Sequence, residues 1–270
     1  MEFVKMHGLG NDFILIDSRK QPLEGVNLSE LAVKLCDRNF GIGADGLLIA
    51  GPSNTADVKM MVFNPDGSEA EMCGNGIRCF AKYIYETLEK KKEIISIETL
   101  AGVMLPSIIE HKGRLAVVEV DMGAPKQVQN SKVKTQNGEY EGTLVSMGNP
   151  HCVIFVDDLN KIDIGKVGPE IETHKMFPKR TNVEFVHIVS KKEITVKVWE
   201  RGAGETLACG TGACAAVVAG VKLGHLERDV LVHLPGGNLD IEWQPASPSG
   251  GDDDHVILRG PAETVFEGKI

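Results

Sequence analysis

No stretch of these 270 residues comes near the ~18 uninterrupted apolar residues of a membrane-spanning helix. The opening "MEFVKMHGLGNDF" lacks the basic start and apolar core of a secretory signal. Both absences lead to the expectation of a cytoplasmic protein with no membrane partner. Positive charge is also short: 29 Lys and Arg face 38 Asp and Glu, a net charge of −9, which argues against general binding to nucleic acid or to an anionic lipid surface. The six cysteines, at 36, 73, 79, 152, 209 and 214, include no Cys-x-x-Cys pair, so no metal site is expected. In a reducing compartment a disulfide scaffold is disfavoured as well.

Helices are few. Apolar periodicity marks four, over Leu28 to Arg38, Cys73 to about Lys92, Asp163 to Thr173 and Cys209 to about Leu223. Short β-branched or alternating runs such as "DFILID", "DVKMMVFN", "LAVVEVDMG", "HCVIFVDD", "EITVKVWE" and "HVILRG" fill most of the remainder. Strand groups broken by so few helices read as an α+β fold rather than a doubly wound sheet. "GIGADG", Gly41 to Gly46, matches a dinucleotide-binding spacing, but the strand-like "LLIAG" follows it where that motif needs a helix, so it reads as a turn or ligand loop. "QPASPSGGDDDH", Gln244 to His255, reads as a flexible loop without chemistry of its own.

What the chain does have is one corner built twice: "MCGNGIRC" around Cys73 and "ACGTGACA" around Cys209. Setting Cys73 on Cys209 pairs Phe63 with Trp199, Asn64 with Glu200, Glu69 with Glu205 and Gly74 with Gly210 without a gap. In a register two residues longer, "LGNDFILI" falls on "MGNPHCVI". A duplicated domain accounts for this, with a boundary near residue 116. The expected halves are 1–116 and 117–255, with 256–270 running back to complete the first.

Each corner opens a helix, whose free N–H groups and partial positive charge lower the pKa of a thiol placed there and hold an anion such as a carboxylate. Both thiols are therefore expected to be acidified. A single cysteine at a helix start is more often a packed small residue than a base, but two at duplicated positions reverse that. Two acid/base groups meeting across one cleft, on opposite faces of a small carboxylate substrate, are what inversion at carbon needs; such a 1,1-proton transfer demands no cofactor. Cys36, Cys79, Cys152 and Cys214 lie in apolar periodic stretches and are expected in the core. His151, after "GNP", reads equally as core or site.

The set "HGLGNDF", "FNPDGSEAEMCGNGIRC", "MGNPHCVIF", "TNVEFV" and "WERGAGETLACGTGACA" closely resembles the diaminopimelate epimerase family, over nearly the whole chain and in the family's order. The resemblance implies two similar domains, each a mixed sheet curled into a barrel around a central helix, and a possible homodimer. It implies stereoinversion of LL- to meso-2,6-diaminopimelate without cofactor, with a thiolate base and a thiol acid. The matching catalytic positions are Cys73, serving the L-configured face, and Cys209, serving the D-configured face. Gly74, Asn75, Gly210 and Thr211 match the helix starts that hold the reacting carboxylate; Asn11, Asn64, Asn149, Asn182, Glu200 and Arg201 match substrate contacts. His151 and Glu200 match residues supporting the cysteines and the substrate ammonium. Ala44 departs from the pattern, since many members carry Gln there. A racemase of another amino or imino acid, like proline racemase, is the nearest alternative. A thiol redox or metal-binding module is the more distant one.

Overall fold

The computed structural model describes residues 1–245 and 254–270, so the centre of the Gln244–His255 loop lies outside the described residues. The chain divides into two compact units, Met1–Val120 with Gly260–Ile270, and Asp121–Arg259.

In the first unit, β1 (Glu2–Gly8) and β2 (Asn11–Asp17) form an antiparallel hairpin. Its two-residue turn, Leu9 and Gly10, takes φ of 58° and 83°, the mirror-image turn that suits the twist of paired strands. A parallel neighbour needs a crossover. Helix α1 (Leu28–Cys36) supplies it and leads to β3 (Gly46–Gly51), which lies parallel to β2. Asn27 caps α1 by accepting from the Glu30 N–H and donating to its carboxylate, a reciprocal cap that fixes where the helix starts. β4 (Val58–Phe63) and β5 (Glu69–Ala70) follow, then α2 (Gly74–Thr87), β6 (Ile97–Thr99), β7 (Gly102–Met104), β8 (Ser107–Lys112) and β9 (Leu115–Asp121). Helix α2 packs against β1, β2, β3, β4 and β8, at the centre of its mixed sheet.

The second unit repeats this plan. β10 (Lys126–Thr135), β11 (Gly138–Ser146) and β12 (Pro150–Phe155) are antiparallel neighbours. α3 (Ile164–Glu172) then carries the crossover to β13 (Asn182–Ser190), parallel to β12. β14 (Glu193–Glu200), β15 (Gly204–Thr206), α4 (Gly210–Lys222), β16 (Asp229–Leu234) and β17 (Gly237–Trp243) complete the order, and β18 (Val256–Lys269) ends the chain. Helix α4 packs against β11, β12, β13, β14 and β17.

The registers repeat as well. Phe63 pairs with Glu69 in one unit, and Trp199 with Glu205 in the other. Phe13 pairs with Gly46, and His151 with Asn182, so the two-residue difference between the repeats falls in the α1 and α3 crossovers, where length is least constrained. The strand flanking the first hairpin comes from the chain's end. β18 pairs with β1 from Glu2↔Lys269 to His7↔Glu263, the place that β10 takes beside β11, while its start pairs with β17.

The central helices differ in surface. From Gly212 to Gly220 every residue of α4 is buried, as its small apolar sequence implies. Helix α2 also buries two cations that tie it to β18: Arg78 Nε donates to the Pro261 carbonyl at 3.2 Å, and Lys82 Nζ to Thr264 Oγ1 at 2.7 Å. Helix α2 ends at Thr87, short of Lys92. Its last buried residue is Ile84, the Lys91 ammonium donates to the terminal carbonyls of Tyr85 and Glu86, and Lys92 turns away to Asp57. The lysines therefore terminate this helix instead of extending it. Cys36, Cys79, Cys152 and Cys214 are buried, and all six cysteines are free thiols.

Candidate active site

Both corner cysteines occupy the N-cap of their central helix, in extended conformation: φ −137° and ψ 118° at Cys73, φ −123° and ψ 112° at Cys209. Helix caps are usually Ser, Thr, Asn or Asp. A sulfur at this position is therefore placed for something other than helix stability. In each corner a glycine sits three residues on, with a packing neighbour where its Cβ would be.

In the first unit Cys73 Sγ accepts from the Gly76 N–H at 3.4 Å. Asn75 Nδ2 donates to Asn11 Oδ1 at 3.1 Å, tying the helix start to the β1–β2 turn, and Asn11 Nδ2 donates to Asp45 Oδ2 at 2.9 Å. Asp45 shares Arg38 with Asp12, and Lys5 Nζ lies 2.6 Å from Asp12. Burial works to raise the Asp12 pKa, but the bonds from Arg38 and Lys5 outweigh it and hold the group at about 2. Asn64 stands apart, donating to Ser68 Oγ at 3.0 Å. Ala44, the departure from the family pattern, is buried in the α1–β3 core.

The second unit gathers more of the expected residues. Thr211 Oγ1 lies 3.6 Å from Cys209 Sγ and accepts from Asn149 Nδ2 at 3.2 Å. Asn149 Oδ1 meets His151 Nε2 at 3.0 Å, and His151 Nδ1 meets Glu184 Oε1 at 2.7 Å. Glu200, at the end of β14, accepts from Thr206 Oγ1 at 2.5 Å. Asn182 braces the loop after that strand: its Oδ1 accepts from the Arg201 N–H at 2.9 Å and its Nδ2 donates to the Pro150 carbonyl. The Arg201 guanidinium is exposed and donates to the Lys179 carbonyl.

The electrostatics of Cys209 correct the expectation of an acidified thiol. Its pKa stands well above the ordinary thiol value, first through burial, then through the charges of Glu200 and Glu184; Thr211 opposes them without prevailing. Burial outweighs the Gly212 N–H at the helix start, so the surroundings of Cys209 favour the neutral thiol. Glu200 is itself raised by burial, against the hydrogen bonds from Thr206 and Cys209.

Sequence reasoning missed Thr206 beside Glu200 and, among the carboxylates, three that shape these networks. Asp45 organises Asn11, and Glu172 receives Trp199 Nε1 at 2.7 Å and the Gly202 N–H at 2.9 Å, shaping the loop that carries Arg201. Glu184 is the third. Its signal was present: in the repeat register it falls on Leu48, a carboxylate where the other half has an apolar strand residue. Among the described residues no group of three or more His, Cys, Asp or Glu side chains could hold a metal ion, and no helix is long and apolar enough to cross a membrane.

A family model described as diaminopimelate epimerase matches residues 3–128 and 143–265 and includes both corners. The chain belongs to the diaminopimelate epimerase family. It is 54% identical to the diaminopimelate epimerase of Pelotomaculum thermopropionicum over all of this chain and 98% of that one. Against that of Moorella thermoacetica it is 50% identical, over 99% and 98%. The diaminopimelate epimerase fold is visible in distant structures too. A phenazine biosynthesis protein of Bacillus anthracis matches with a TM-score of 0.78 at 18% identity, covering 100% of this chain and 98% of that one. A probable proline racemase from Agrobacterium radiobacter K84 matches with 0.73 at 16%, covering 100% and 92%.

Proposed function

We propose that the chain interconverts LL- and meso-2,6-diaminopimelate by a two-cysteine proton transfer, serving lysine and peptidoglycan precursor synthesis. The observation that carries this reading is the pair of cysteine caps at equivalent places in two repeated units, within a chain of this family.

In the LL-to-meso direction Cys73 acts as thiolate and takes the α-proton. The C–H electron pair stays on carbon and delocalises into the adjacent carboxylate. N–H groups at the starts of α2 and α4, around Gly74, Asn75, Gly210 and Thr211, stabilise the charge that grows there. The Cys209 thiol then gives its proton to the opposite face, leaving Cys73 protonated and Cys209 as thiolate. The raised pKa of Cys209 suits that donor role. Proton exchange with solvent resets the pair. His151 and Glu200 support the cysteines, Arg201 suits a bidentate grip on the distal carboxylate, and Asn11, Asn64, Asn149 and Asn182 line the substrate.

The test is incubation of reduced protein with LL-diaminopimelate in D2O without pyridoxal phosphate. The expected outcome is meso product carrying deuterium at the inverted α-carbon. Absence of both product and deuterium would overturn the reading, and exchange on proline in the same panel would move it to the imino-acid racemases.

A further inference from the structure

Glu184 lies on β13, fully buried, with Oε1 held by His151 and Oε2 lacking a hydrogen-bond partner among the described residues. A half-satisfied carboxylate inside a core costs free energy, so its presence calls for a role. The repeat shows what the fold alone requires at these places: the counterparts of Glu184 and His151 are Leu48 and Phe13, both buried and apolar.

We propose that Glu184 is a positioning residue for Cys209, fixing the ring of His151 and, through it, the direction of the side-chain hydrogen bonds that run by Asn149 and Thr211 to the sulfur. Asn149 Nδ2 donates to the Thr211 hydroxyl, so Asn149 Oδ1 is the atom that faces His151, and as an acceptor it must receive the Nε2 hydrogen. Glu184 Oε1 then engages the other ring nitrogen and locks the ring in that orientation. Because the Thr211 oxygen accepts from Asn149, its own hydrogen is left to donate to Sγ, 3.6 Å away. From His151 onward the donors point toward the thiol, from the ring to Asn149, from Asn149 to Thr211 and from Thr211 to the sulfur, while the Glu184 carboxylate, an acceptor, faces the other ring nitrogen. The chain offers the sulfur the hydrogen bond it needs when it must carry negative charge, in surroundings otherwise set against a thiolate.

The ionisable groups around Cys209 are Glu200 from β14, Glu184 from β13 and His151 from β12, so Glu184 acts in two opposed ways. Its charge raises the thiol pKa, and its positioning lowers it. That opposition makes the proposal testable by sign. It rests on the acid/base role assigned to Cys209, but the readout is alkylation of the thiol and needs no turnover. A failed D2O assay would therefore count against the function, and a failed alkylation result against this inference alone.

In a Cys73→Ser background, the pH profile of iodoacetamide modification of the Cys209 peptide is followed by mass spectrometry. Glu184→Gln keeps a hydrogen-bonding partner for His151 and loses the charge, so the midpoint is expected to fall. Glu184→Leu loses the same charge and also breaks the chain, so its midpoint is expected to lie about one pH unit above that of Glu184→Gln, the scale of one hydrogen bond. Thr211→Val cuts the same chain and keeps the Glu184 charge, so it should raise the midpoint, and adding it to Glu184→Leu should raise the Leu midpoint no further, because the chain is already cut. The double variant His151→Phe/Glu184→Leu transplants the apolar pair of the first repeat, leaves no orphaned charge, and gives the same reading if Glu184→Leu alone fails to fold. A Leu midpoint at or below that of Glu184→Gln, as loss of a nearby charge alone dictates, or a further rise when Thr211→Val is added to Glu184→Leu, would overturn the proposal.

Discussion

The two repeats share strand order, ladder register and a cysteine at the cap of the central helix, yet they surround those cysteines differently. Behind the first corner lie Leu48 and Phe13; behind the second, Glu184 and His151. The residue paired with Asn64 in the first strand set is Glu200 in the second. Even the polarity of equivalent contacts reverses. Asn75 on the helix donates to Asn11 on the turn, and onward to Asp45, whereas Asn149 on the turn donates to Thr211 on the helix. The scaffold has thus been kept while the protonation environment of one sulfur was rebuilt. An inversion reaction needs this inequality, because at the start of a turnover one sulfur must be a base and the other an acid.

The largest effect should come from removing either member. Cys73→Ala and Cys209→Ala are each expected to lower epimerisation by at least about 10³-fold, within the range ascribed to one positioned acid or base, with the circular dichroism spectrum unchanged. Wild-type turnover in either variant would show that the two repeats do not act as a pair.

Next in size is a change that makes the halves alike, Glu200→Gln, which replaces the carboxylate near Cys209 by an amide like that of Asn64. Burial is the first cause of the raised Cys209 pKa and the Glu200 charge the second, so removing that charge lowers the pKa. The thiolate should appear at lower pH, by about one unit, seen as a downward shift in the alkylation midpoint of the Cys209 peptide. An upward shift would mean that Glu200 acts mainly as a partner of the thiolate rather than as a charge opposing it.

Much of this was legible in the sequence, for a physical reason. A repeated strand-turn-helix unit leaves the same glycines, the same alternation and the same cap in linear order, so Cys73, Cys209 and the registers around them could be read directly. Thr206 and Glu172 could not, because what they do depends on strands and helices brought together by the fold, as when Glu172 at the end of α3 meets Trp199 on β14. The buried Arg78 and Lys82 were hidden likewise, their partners Pro261 and Thr264 arriving from the far end of the chain. The electrostatic misreading of Cys209 has the same origin. The helix start is a local feature, whereas the burial that chiefly raises this thiol and the carboxylates that add to it are not. Where the sequence did carry the signal, it lay in departures from the repeat, at Leu48 against Glu184 and Asn64 against Glu200.

The smallest effect is also the sharpest test of that difference, since it probes one position in both halves. Gly76 and Gly212 stand third in the first turns of α2 and α4. A methyl at Gly76 would lie 3.3 Å from Leu48 Cδ2 and from Cys73 Cβ, tight contacts that a leucine rotamer can relieve. A methyl at Gly212 would lie 2.7 Å from Glu184 Oε1, inside van der Waals contact, and that carboxylate is pinned by His151 and cannot swing aside without losing its hydrogen bond. Gly212→Ala is therefore expected to cost about 1–3 kcal/mol, the usual range for overpacking a core, and Gly76→Ala less, because helix propensity favours alanine by ~1 kcal/mol and offsets the milder crowding. Urea unfolding of the two single variants measures the difference directly. Combining Gly212→Ala with Glu184→Gln should leave the cost in place, since the amide fills the same volume, whereas equal costs for the two glycines would show that Glu184 is not held rigidly behind the second corner.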